Sequence, residues 1–114
     1  MSIYLWLFRY TAFSDCMPAL RRVIVDVLRP HDPPLATFTE QVAATRTVTG
    51  ATASLLERDQ TVQTIVLTLE GDDLDLAAIT AAIESLGGSV HSVDQVSFGE
   101  RLVDPGRPLP ESER

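Results

Sequence analysis

The sequence predicts an α+β domain whose elements run in the order β-α-β-β-α-β. Three observations carry that expectation. The stretch "TVQTIVLTLEG" alternates apolar and polar residues, which is the period of a strand. Leu76, Ile79, Ile83 and Leu86 recur at helical spacing and are followed by Gly87-Gly88, a common helix stop. The stretch "RRVIVDVLRPHDPP" is an apolar run cut off by prolines, as a buried strand leading into a turn would be. This order is that of the ferredoxin-like split βαβ fold: a four-stranded antiparallel sheet with two helices on one face.

Each element has its own signal. Strand one spans Ala19 to Leu28 and ends where Pro30 forbids continuation. Asp32 then reads as an N-cap with Pro33 at the first helical position, and Leu35, Phe38 and Val42 carry a helix to about Thr45. Strand two is "ATASLLE", turned by "RDQ" into the alternating third strand. Asp72 or Asp73 is the expected cap of the second helix. Strand four is "SVHSVDQVSFG".

Asp26 raises a question, because a lone carboxylate in an apolar strand is costly unless paired, hydrated or bound. Alternation puts Val23, Val25 and Val27 on one face of strand one, and Ile24, Asp26 and Leu28 on the other. If the valines meet the helices, Asp26 sits on the open face. That face carries more apolar area than a solvated sheet usually shows, so other copies of the chain are expected to cover it or the sheet edges.

Composition sets bounds on function. A chain of 114 residues makes one domain that can bury a single core. Its one cysteine, Cys16, cannot form an internal disulfide, which suits a reducing, cytoplasmic compartment. The net charge of −7 and the lack of a basic patch argue against nucleic acid as a partner. Lysine and asparagine are both absent, which points to a GC-rich genome. Together with the acidic balance this fits a halophilic microbe, where salt screens surface repulsion, or an actinobacterium.

Residues 1–16, "MSIYLWLFRYTAFSDC", differ from the rest. Arg9 interrupts the apolar run, which falls short of the ~20 residues that span a membrane. The stretch also lacks the basic start of a signal peptide. It reads as a start-site artefact ahead of an initiating Met17, while the alternation of Tyr4, Trp6, Phe8 and Tyr10 would alternatively suit an extra edge strand. The folded domain then covers 17–103. Residues 104–114, rich in proline and charge, read as a disordered tail.

Two segments, Asp26 to His31 (D-V-L-K/R-P-H) and Gly87 to Asp94 (G-G-x-I/V-H-S-I/V-D), resemble signatures of the small archaeal proteins grouped as domain of unknown function 211. The likeness runs from about Met17 to Val103. It implies a ferredoxin-like subunit that assembles into ring-shaped homo-oligomers, with no established activity and a start near Met17. The family's hairpin after Glu57 and Asp59 is more acidic than the Thr61-Val62-Gln63 found here, which counts against a cation site at that turn.

Candidate site residues follow from the fold. Strands one and four are neighbours, so His31, His91, Asp26 and Asp94 are expected near one another. Two imidazoles with a carboxylate could hold zinc or another transition metal, each histidine could simply bond backbone groups at a strand end or subunit contact, or the pair could serve acid–base catalysis. Glu57 and Asp59 could offer oxygens to calcium or magnesium. No nucleophile elbow, phosphate loop or dinucleotide fingerprint occurs, so an enzyme is not expected. The reading is a self-assembling regulatory or scaffolding module, with a divalent cation as a candidate cofactor. The alternative is a sensor domain that binds a small molecule between subunits.

Overall fold

The valines of the first strand decide which way the sheet faces. In the computed structural model, which describes residues 17–105, strand β1 runs Leu20–Pro30 and buries Val23, Val25 and Val27 completely. The other elements are α1 (Leu35–Ala43), β2 (Val48–Arg58), β3 (Val62–Gly71), α2 (Leu76–Ser85) and β4 (Ser89–Phe98). They form one antiparallel sheet in the order β2-β3-β1-β4, the ferredoxin-like topology, with β1 paired to both β3 and β4. The expectations for residues 1–16 and 106–114 lie outside the described residues; Asp104 and Pro105 carry no regular structure.

Side-chain parity sorts the sheet into two faces. Val23, Val25 and Val27 of β1 and Ile65, Leu67 and Leu69 of β3 share a core with Phe38 and Val42 of α1 and Ile79 and Ile83 of α2. Burying each of these side chains stabilises the fold by about 1.5–3 kcal/mol. Ile24, Asp26 and Leu28 lie on the opposite, open face and are only partly buried, as do Thr64, Val66 and Thr68 of β3. At the Arg22 end this face carries an ion pair, with Arg22 Nη2 2.7 Å from Glu70 Oε2.

Both helix caps differ from expectation. Pro34, not Asp32, is the N-cap of α1, and no side chain caps that helix. Asp32 lies too far upstream for its carboxylate to serve the first-turn amides. Asp75, not Asp72 or Asp73, caps α2 by accepting from the Ala78 amide at 3.1 Å. The cause is Leu74, whose amide donates to the Leu20 carbonyl at 2.8 Å and whose side chain is buried in the core, outside the helix. The cap therefore falls one residue after it. The predicted glycine stop of α2 holds: Gly87 has φ +88°, and the amides of Gly87 and Gly88 return to the carbonyls of Glu84 and Ile83.

Strand β2 starts three residues before its expected beginning, at Val48. One buried group was not foreseen. Arg29 shares the parity of the valines, so its guanidinium enters the core side and is 1% exposed. It donates to Gln63 Oε1 and the Pro33 carbonyl and stacks 4.7 Å from the centre of the Phe38 ring. Loss of water around it lowers its pKa, against a smaller opposing pull from Asp32.

Candidate functional site

Two β-bulges shape the open face at the end where β1 finishes. On β2 the register passes from Leu55 to Glu57 across β3, which leaves Leu56 without a partner residue. On β4 it passes from Val90 to Ser92 across β1, which leaves His91 unpaired in the same sense. A bulge re-aims the side chains around it. Here the two bulges flank a groove lined by Asp26, Leu28, Leu56, Glu57, Thr64 and His91, with a volume of about 530 Å³.

Asp26, the expected odd residue of β1, lies in this groove. Its Oδ1 is buried and has no hydrogen-bond partner among the described residues. No arginine lines the groove, and the Arg22–Glu70 pair lies further along the same face. Two carboxylates, from Asp26 and Glu57, thus border a cavity whose remaining walls are two leucines, a threonine and a histidine. Such walls favour a positively charged or hydrogen-bond-donating guest over an anion.

The other candidate residues go elsewhere. His31 turns towards the β2–β3 hairpin, with Nε2 2.8 Å from the Asp59 carbonyl oxygen and 3.4 Å from that of Val62. The Asp59 carboxylate closes the hairpin turn by accepting from the amides of Thr61 (2.9 Å) and Val62 (3.1 Å). Those amide bonds hold its pKa below the ordinary carboxylate value; desolvation opposes this, and nearby His31 adds a still smaller lowering. Asp94 occupies a further irregularity of β4 and accepts from the Ser92 hydroxyl at 2.8 Å.

Of the four residues expected together, only Asp26 and His91 share a cavity, and Glu57 joins them there. Glu57 also borders a smaller space of about 270 Å³ with Arg58, Asp59, Val62 and Thr64. Among the described residues no three His, Cys, Asp or Glu side chains are grouped so as to hold a metal ion. Leu56 and Thr64 were not anticipated as site residues. Thr64 could have been placed by parity, whereas the bulge that brings in Leu56 leaves no mark in the sequence.

A second feature concerns the sheet edges. The outer strands β2 and β4 expose large apolar side chains: Leu55 and Leu56 on one, and Val93, Val96 and Phe98 on the other. By register Val93, Val96 and Phe98 stand opposite Val25, Val23 and Leu20, on the helix side of the sheet. They nonetheless stay about half exposed, at 47%, 48% and 54%. No helix among the described residues is long and apolar enough to cross a membrane.

A family model described as uncharacterized ArCR (DUF211) matches residues 21–111. The chain is also 32% identical over 91 residues to the uncharacterized protein MJ0319 of Methanocaldococcus jannaschii, an alignment covering 80% of this chain and 94% of that one.

Proposed function

Because the chain belongs to the archaeal family called domain of unknown function 211, we propose that it works as a non-catalytic subunit that assembles with copies of itself, as a scaffolding or regulatory module. The observation that carries this reading is the exposure of apolar side chains on two opposite edges of one sheet, at Leu55 and Leu56 on β2 and at Val93, Val96 and Phe98 on β4. Unprotected edges invite pairing with another chain. The two edges differ, so a contact of β2 with the next copy's β4 is head-to-tail, and repeating it gives a closed ring or an open filament. A divalent cation held in such an assembly would take ligands from more than one copy, since no suitable group of three exists among the described residues of one chain.

Light scattering on the eluting full-length protein tests the reading, with Leu55→Glu and Val96→Glu as edge variants. The wild-type chain is expected to elute as an oligomer, and each variant alone as a monomer. Mixing the two variants should restore one intact contact and give a one-to-one dimer. A monomeric wild type, or variants that assemble as well as it does, would overturn the proposal.

A further inference from the structure

We propose that the groove on the open face binds a linear aliphatic diamine, one ammonium group at Asp26 and the other at Glu57. The inference goes beyond self-assembly: the groove shares Leu56 with the β2 edge proposed for that contact, but all of its lining residues come from one chain. In the register of the sheet, Asp26 pairs with Val66, and Glu57 pairs with Thr64 two residues away on the same strand. The two carboxylate-bearing positions are therefore two strands apart, about 9.5 Å, and offset by two residues, about 7 Å, which puts their backbones about 12 Å apart on the diagonal. A bare ion needs several ligand oxygens within about 2.6 Å, and among the described residues no three His, Cys, Asp or Glu side chains are grouped so as to supply them.

The ground between them is suited to methylene groups. The diagonal crosses β3 between Thr64 and Val66; Leu28, which pairs with Thr64, flanks it on the β1 side, and Leu56, set at its bulge beside Glu57, forms the adjoining wall on β2. An extended diamine laid along this diagonal has a charge for the acid at each end and an apolar middle that runs between Leu28 and Leu56. Each ammonium forms a charge-assisted hydrogen bond, and the chain between covers apolar surface. The bound cation also gives Asp26 a donor in a setting where its Oδ1 has none. His91, on the Asp26 bank, closes the groove on the β4 side. The chain's net charge of −7 draws such a dication towards it.

Isothermal titration calorimetry on the full-length chain tests the site, with cadaverine as ligand and n-pentylamine and magnesium chloride at matched ionic strength as controls. Cadaverine is expected to bind saturably and about tenfold or more tightly than n-pentylamine, one charge-assisted bond being the difference. Asp26→Asn and Glu57→Gln should each reduce cadaverine to the affinity of the monoamine. Methyl resonances give a second reading on the wild-type chain: cadaverine should shift Leu28 and Leu56 and leave Val93 and Val96 unmoved. Binding of magnesium as tight as that of the diamine, indifference to both substitutions, or unmoved Leu28 and Leu56 methyls would each overturn the proposal.

Discussion

The Nε2 atom of His31, at the end of β1, lies 2.8 Å from the carbonyl oxygen of Asp59, in the turn that joins β2 to β3. A second carbonyl, that of Val62, lies 3.4 Å from the same atom, so Nε2 must carry the proton. The bond fastens the hairpin to the strand beside it. Removing it in His31→Ala is expected to cost about 1 kcal/mol, the net worth of one hydrogen bond. The loss should appear in urea denaturation, together with faster amide exchange at Thr61 and Val62. Unchanged exchange at those two amides would show that the turn holds without the histidine.

Asp59 ties stability to pH. Its folded pKa lies below the ordinary value, chiefly because the Thr61 and Val62 amides bond its charged form. A carboxylate depressed in this way contributes stability that is fully present above its unfolded pKa and is lost as pH falls through the folded one. The urea midpoint should therefore decline as pH drops below about 4, where the unfolded chain takes up the proton first. In Asp59→Asn that part of the decline should vanish. An identical acid profile in the variant would place the acid sensitivity elsewhere.

Arg29 is expected to be the most sensitive charged residue of the core. Arg29→Ala removes its bonds to Gln63 and Pro33 and its stacking on Phe38 and leaves a hole. A loss of about 3 kcal/mol is expected. Arg29→Lys keeps the charge but has neither the planar fork nor the stacking face, so about 2 kcal/mol should still be lost. Denaturant midpoints at constant slope measure both. A lysine variant as stable as wild type would mean that charge alone matters at this position.

Two glycines make a matched pair. A Cβ at Gly71 would come 2.0 Å from the Thr47 carbonyl oxygen and 2.7 Å from Leu74 Cδ2, whereas at Gly50 it would meet nothing within 4 Å. Gly71→Ala should thus destabilise by about 3 kcal/mol, since backbone has to move. Gly50→Ala should be neutral, or more stable by up to about 0.5 kcal/mol. Thermal melts of the two variants side by side decide the matter.

Much of this architecture was legible because parity and period are local properties. The alternation of Val23 to Leu28 told core face from open face, and the stripe of Leu76, Ile79, Ile83 and Leu86 told which side of α2 packs. What escaped depends on single-residue shifts. Leu74 moved a helix cap to Asp75, and the bulges at Leu56 and His91 built the groove; neither alters the apolar pattern from which elements are read. Asp26 and His91 came together because strand adjacency could be foreseen. His31 did not join them, because the carbonyls of the hairpin turn, invisible in side-chain chemistry, hold it instead. Arg29 could have been found: it continues the valine parity by one step.

If copies of the chain join edge to edge as proposed above, the unlike apolar edges of β2 and β4 carry a genetic consequence. In an assembly built head-to-tail, a subunit spoiled at Val96 still offers an intact Leu55 edge to its neighbour. It enters the structure and terminates it. A few such copies among many normal ones would poison most assemblies, so a lesion on either edge should behave as dominant. A lesion at Gly71 lowers the share of folded subunits without presenting a spoiled edge, and should be recessive.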